Sequence, residues 1–321
     1  MHVDTIVTLT QHETFFIVLA GVSLLIGTAT VLGAWLATRT TDAAKLAWIG
    51  HLNSRIRASW LIVALFAIGF AAGGGALVVL FALASFFALR EFVALTPIRA
   101  SDHLVLLIAF YCVIPIQYLL IAAGGYHIFA IFIPVYVFLL LPVVMALKQD
   151  TVDYLQRVAK VQWGLMISVY CVSHAPAIVG LDLPGHENRG AMLLLYFLLV
   201  LQTSELLAVI ASASFGRTPL RFDPNKSREG VLVGGVGATL IGTALWWLTP
   251  FTWLESALMS AAIVIAGFMG GLVLSSVKRS LGARDWAEDG VMLSRGVLER
   301  LDALTFAAPV FFHLTLYFFV P

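Results

Sequence analysis

At 321 residues, 60% hydrophobic and 12% charged, with a mean hydropathy of +0.96, the chain carries about half the charge of a soluble domain, where about a quarter of residues are charged. This composition excludes an ordinary water-soluble globule and predicts an all-α polytopic transmembrane bundle. The formal net charge of +1 says nothing about partners, whereas its distribution does. The two cysteines, Cys112 and Cys171, both lie in apolar runs, which argues against a disulfide framework or a zinc site.

The N-terminus lacks a basic leader and a cleavage site, so the first apolar run is expected to stay as a helix. Apolar runs fall near 14–37, 60–71, 76–89, 103–122, 127–147, 161–180, 190–210, 231–249, 253–274 and 303–320. Several meet the roughly 20-residue length of a spanning helix. The second and third are short: they form either one long tilted helix or a hairpin turning at Gly73-Gly74-Gly75. A hairpin puts 18 of the 19 Lys and Arg on one face, all but Arg189. Cytoplasmic loops are enriched in these residues, so the charge pattern predicts about ten spans (nine to ten), both termini outside and the long loops cytoplasmic. Within 41–58, Ala44, Trp48, Leu52 and Ile56 recur every four residues among Lys45, Arg55 and Arg57. Two readings stay open there, an interfacial helix and a plain basic loop. The expected divisions are an N-terminal span with its basic segment (1–58), a first set of membrane helices (59–210) and a C-terminal region (211–321). No internal repeat is visible.

The candidate chemistry lies in two loops. From Lys278 to Asp302, five cations and five carboxylates fall within 25 residues. Glu299 and Asp302 are three apart, so on one helix both carboxylates share a face. That spacing suits Mg²⁺, which takes one or two carboxylates and completes its shell with phosphate oxygens and water. Lys278, Arg279 and Arg300 beside them suit a triphosphate and its developing charge. The plainer alternative is that basic helix ends only set topology or snorkel. Upstream, Gly216-Arg217 precedes Asp223-Pro224-Asn225-Lys226-Ser227-Arg228-Glu229-Gly230. Pro224 and Asn225 mark a turn, and Ser227 is placed to cap the next helix, whose positive end suits an anion. Gly234-Gly235 and Gly270-Gly271 read as close helix packing. Glu205, a carboxylate at membrane depth, is a functional candidate by that placement. Arg90-Glu91 reads as a local ion pair, and His174 and His313 as packed histidines.

These loops resemble the signature of the CTP:phosphatidate cytidylyltransferases, the CDP-diacylglycerol synthases. That signature runs Ser-x-x-Lys-Arg, four residues, Lys-Asp, then His-Gly-Gly-x-x-Asp-Arg-x-Asp. Ser275, Lys278 and Arg279 match; Arg284-Asp285 stands for Lys-Asp, Ser294-Arg295-Gly296 for His-Gly-Gly, and Glu299-Arg300-Leu301-Asp302 for Asp-Arg-x-Asp. Residues 223–230 parallel the family's Ser-Pro-x-Lys-Thr-x-Glu-Gly, and Ser204-Glu205 stands where the family often has Asn-Asp. The family's upstream Gly-Asp is Gly270-Gly271 here, which removes a metal carboxylate. Glu299 displaces another by a methylene, and the His is absent.

The resemblance implies transfer of CMP from CTP to phosphatidate or a related lipid phosphate, with Mg²⁺ as cofactor. It assigns Lys278, Asp285 and Arg300 to catalysis. Ser275, Arg279, Arg217, Lys226, Ser227 and Glu229 go to substrate binding, and Glu299, Asp302 and Glu205 to metal. Expected partners are the nucleotide, the lipid phosphate and membrane lipids, with no nucleic acid and with homodimerisation left open. A catalytically silent homologue that binds lipid or nucleotide, and a transporter, are the competing readings. The setting is expected to be a bacterial inner membrane.

Overall fold

The structure, a computed structural model, describes residues 73–320 except 186–188, 222, 224–225 and 284–295, together with a discontinuous subset of 19–69. The chain divides into two compact units, Met1–Ala76 and Leu77–Pro321. In the first, Leu19–Arg39 forms α1. Ile56 and Arg57 are helical, but Ala44, Lys45, Trp48, Leu52 and Arg55 of the amphipathic pattern lie outside the described residues. The described positions within 60–69 are helical as well, and the chain then breaks at Gly73, whose φ of 92° is readily open only to glycine.

The second unit contains all but the first turn of α2 (Gly74–Ala94), then α3 (Ala100–Ala122), α4 (Tyr126–Ala146), α5 (154–179), α6 (Gly190–Phe215), α7 (Arg228–Ala244), α8 (Trp253–Ser280), the short α9 (Val297–Arg300) and α10 (Asp302–Phe319). Among the described residues the architecture is all helical, apart from an isolated antiparallel bridge between Pro219 and Ser227. Seven of these helices, α1, α2, α3, α4, α6, α8 and α10, are long and apolar enough to cross a membrane, so the protein is integral to one. The expected runs 161–180 and 231–249 are largely helical, within α5 and α7, but these two and the run 60–71 are not among the seven. The expected boundary at 210 falls inside the continuous α6.

Local sequence explains the shape of several elements. α3, α4 and α5 each contain a widened π-helical turn, at Ala109–Val113, Phe132–Val137 and Met166–Cys171. Pro115, Pro134 and Pro176 lie in or shortly after these turns. A proline cannot donate to the carbonyl four residues back, and a wider turn is one way a helix accommodates this. α8 begins with a capping box: Glu255 N–H donates to Thr252 Oγ1 at 3.4 Å, and Thr252 N–H donates to Glu255 Oε2 at 2.8 Å.

Small residues set how closely the C-terminal helices approach. A Cβ built on Gly234 of α7 would lie 2.6 Å from the Ala208 backbone nitrogen of α6, and one on Gly270 of α8 would lie 2.6 Å from the Asp302 carbonyl oxygen. Both pairs of helices therefore touch backbone to backbone, as the glycine pairs predict. The tight packing brings the C-terminal ends of α6 and α8 to the N-terminal ends of α7 and α10. At the ends of α3, α4 and α5, Arg157 pairs with Asp150 at 2.8 Å and with Asp102 at 3.2 Å. Replacing Gly234 by Ala should destabilise the protein by about 1–3 kcal/mol through overpacking. A lowered melting temperature in detergent checks this, with Gly74→Ala, where an added Cβ meets nothing within 4 Å, leaving it unchanged.

Candidate active site at the charged end of the bundle

Two loops meet here. The first, 216–227, folds back on itself: Leu220 N–H donates to the Lys226 carbonyl at 2.8 Å, and Arg228 N–H donates to that of Thr218 at 3.0 Å. This hairpin turns Lys226 inward and leaves Arg217, Arg221 and Arg228 exposed. Lys226 is buried, and its Nζ donates to both oxygens of Glu205 at 2.8 and 2.6 Å. Asp223 Oδ2 lies 4.0 Å away. Ser227 caps α7 as expected, accepting from Gly230 N–H at 3.0 Å, while its own N–H donates to Ser212 Oγ at 2.8 Å. Pro224 and Asn225 lie outside the described residues.

Glu229, in the first turn of α7, closes the loop rather than facing outward. It accepts from the backbone N–H groups of Arg217 and Thr218, each at 3.2 Å, and from the Thr218 hydroxyl. The Thr218 hydroxyl, joined by these amides, stabilises the ionised form and lowers the Glu229 pKa from 4.5 to about 2.

The second loop carries Lys278 and Arg279 in the last turn of α8, where cations complement the helix dipole. Ser275, one turn earlier, is half-buried. Arg279 Nη2 donates to the Arg221 carbonyl at 2.6 Å, which ties the two loops together. Lys278 Nζ donates to Glu299 Oε2 at 2.7 Å. Asp285, with Arg284, Ser294 and Arg295, lies outside the described residues.

Glu299 and Asp302 do not share one helix. The chain breaks at Leu301, with φ −98° and ψ 1°, so Glu299 and Arg300 belong to α9 and Asp302 opens α10. Asp302 Oδ1 accepts from Ala303 N–H at 2.7 Å. A Cβ built on Gly271 would lie 3.7 Å from Asp302 Oδ2, an ordinary contact distance. A side chain at position 271 would therefore stand beside the Asp302 carboxylate. Among the described residues, no three His, Cys, Asp or Glu side chains come together in a way that could hold a metal ion. Glu205 and Glu299 each accept from a lysine instead.

The sequence reading of Glu91 was incomplete: beside the electrostatic attraction of Arg90, its Oε1 and Oε2 accept from the backbone N–H groups of Val297 and Leu298 at 2.7 and 2.8 Å. A sequence signal did exist. Glu91 lies in the last turn of α2, where the helix dipole disfavours a carboxylate, so an external donor was to be expected. His174 is buried; its Nδ1 bonds the Tyr170 carbonyl at 2.8 Å and its ring packs on Phe129, in line with a packing role.

A sequence model described as the cytidylyltransferase family matches residues 53–318. The chain is 34% identical over 275 residues to the uncharacterized protein YnbB of Escherichia coli (strain K12), covering 84% of this chain and 88% of that one. It is 33% identical over 126 residues to the phosphatidate cytidylyltransferase of Aquifex aeolicus, covering 37% of this chain and 45% of that one. To the phosphatidate cytidylyltransferase of Helicobacter pylori (strain J99) it is 31% identical over 158 residues, covering 45% and 58%. The chain thus spans about half the length of the two named enzymes.

Two outcomes are expected of this geometry. Lys226→Ala removes the ammonium that both oxygens of the largely buried Glu205 accept from, at a cost of about 3–5 kcal/mol. The double variant Glu205→Gln/Lys226→Met should be less destabilised than Lys226→Ala, as read by thermal unfolding. The second concerns pH. Because the folded Glu229 pKa lies below its ordinary value, its stabilising contribution is complete above pH 4.5 and is lost as pH falls toward 2. Glu229→Gln should therefore remove part of the acid dependence of the melting temperature in that window and leave the neutral-pH slope unchanged.

Proposed function

Because the chain belongs to the cytidylyltransferase family, we propose that it is a membrane nucleotidyltransferase that moves CMP from CTP to phosphatidate or a related lipid phosphate, at the charged end of the bundle. The single observation that carries this reading is the linking of two basic loops by Arg279 and the Arg221 carbonyl. It ties the loop that carries Lys226 to the helix end that carries Lys278 and Arg279, a basic surface suited to an anionic substrate. In the reaction, a phosphate oxygen of the lipid attacks the α-phosphorus of CTP and the Pα–O bond to the β-phosphate breaks. Pyrophosphate carries away the electron pair, and CDP-diacylglycerol or its counterpart remains. No covalent enzyme intermediate is required, so the protein's tasks are orientation and charge stabilisation.

In this reading Lys278, Arg279 and Arg300 meet phosphates, and Lys226, Ser227 and Arg217 lie near the nucleotide. Lys226 and Lys278 hold glutamates while the substrate is away. The exposed Arg221 and Arg228 face the anionic surface of the membrane leaflet, the cytoplasmic leaflet of a bacterial inner membrane in this reading, with homodimerisation compatible. Glu229 acts through the loop it closes. Mg²⁺ is proposed as cofactor, although the described carboxylates do not by themselves form its site. Asp302 is the described residue retained as a ligand, Asp285 is a further candidate, and no step is derived through the ion.

A silent homologue is the second reading, favoured by Gly271 and by the lysine pairing of Glu205 and Glu299. Pyrophosphate release by purified protein in detergent, from CTP plus phosphatidate with Mg²⁺, separates the two. Under the first reading release needs both substrates and falls by roughly a hundredfold in Asp302→Ala, while Gly271→Asp lowers the Mg²⁺ needed for half-maximal rate, since it adds a second carboxylate. Release from Gly271→Asp alone would mark the native protein as silent, and release from neither would discard the phosphatidate reaction.

A further inference from the structure

We propose that Glu91 is a positioning residue for this site: its carboxylate holds the Val297–Arg300 segment, and with it Glu299, Arg300 and the start of α10, in the arrangement that transfer requires. The inference rests on the functional reading above and adds a residue that lies far from both motifs in sequence.

Four observations carry it. Both Glu91 oxygens are committed to consecutive backbone amides, those of Val297 and Leu298, more than 200 residues away in the chain. α9 has only four residues, and Gly296 ahead of it, at φ 23°, brings no side-chain cap. A helix that short does not sustain itself, so Glu91 supplies from outside the acceptors that the local sequence lacks. Leu298 is wholly buried against Ala88 and Phe92 of α2, together with Ile167 and Leu274. The segment therefore docks on α2 through an apolar contact and a charged one together. Finally, the next side chains are those of the site. Glu299 pairs with Lys278 at 2.7 Å, and Asp302 begins α10 beside Gly271. Glu91 itself is engaged by the two amides, so it acts through the segment rather than on substrate.

Loss of the carboxylate leaves the apolar contacts of Leu298, Val297 and Leu301 and the Lys278–Glu299 pair among those that hold α9. These fix its depth but leave the Val297 and Leu298 amides without the acceptors that Glu91 supplied, so the orientation of the segment loosens. A displacement of about 1 Å at a reacting group costs roughly a hundredfold in rate.

The test uses the full chain in detergent, with Glu91→Gln, Glu91→Asp and Glu91→Ala. Hydrogen exchange of the segment 296–301 is read by mass spectrometry beside the melting temperature. Pyrophosphate release gives kcat and the KM for CTP. Faster exchange confined to this segment is expected in Glu91→Ala at a melting temperature close to the parent's. Glu91→Gln, which keeps one acceptor, should be intermediate. In the same order kcat should fall, by roughly tenfold and then a hundredfold, with KM for CTP held. Exchange that does not change in Glu91→Ala, or turnover that does not change while exchange rises, overturns the proposal. A fall in melting temperature that tracks the loss of turnover in all three variants overturns it too, since it would mark a structural role alone. A native protein that turns over no CTP defeats the functional reading, and the exchange measurement still decides whether Glu91 holds the segment.

Discussion

Taking a lysine ammonium and a glutamate carboxylate out of water costs several kcal/mol per ion, and the cost is offset only when the two meet in good geometry. Lys226 and Glu205 meet in that way: Nζ reaches both carboxylate oxygens, and both side chains are largely removed from solvent. The pairing dictates the course of the chain around it. The loop after α6 must double back to bring Lys226 to a carboxylate on the helix it has just left. Ser227 must then start α7 at once, and Glu229 must bind the loop's other strand. Lys278 and Glu299 repeat the arrangement in the second loop at lower burial. Both inward lysines are thus charge-paired within the protein. In the proposed reaction an entering phosphate would exchange one charge-assisted partner for another, and would not have to strip water from a bare ammonium.

The packing beneath makes this possible. α6 and α7, and α8 and α10, come within backbone contact, which leaves little volume between the two helices of each pair. Gly270 and Gly271 show how finely that volume is divided. A side chain at 270 would meet the Asp302 carbonyl, whereas one at 271 would look onto the Asp302 carboxylate from an ordinary distance. The first glycine serves the fold, and the second leaves room in the site.

Much of this could be read in the residues. The apolar runs predicted helices, the serine before Arg228 predicted a cap, and the paired glycines predicted close contact, since each depends on interactions within a few residues or on one face of one helix. The site was legible as two loops but not as a set of partners. That Glu205 belongs to Lys226, and Glu299 to Lys278, depends on contacts across 21 residues in each case, which spacing does not encode. The three-residue interval between Glu299 and Asp302 suggested a shared helical face, and the break at Leu301 removed it. Glu91 was hidden for a similar reason: its neighbour Arg90 offered a local explanation, while its partners are backbone amides that have no identity in a sequence.

The widened turns in α3, α4 and α5 bear on how this family is to be compared residue by residue. Each such turn takes up extra chain within the helix, and one extra residue turns everything beyond it by about 100°. The face that α3 presents before Ala109 is therefore out of phase with the face it presents after Val113, and the same holds on either side of 132–137 and 166–171. A relative with a plain α-helix at any of these places would present different side chains to the same neighbour. It would come back into register only by deleting a residue inside the turn, and an alignment without a gap there would match positions that occupy different sides of the helix.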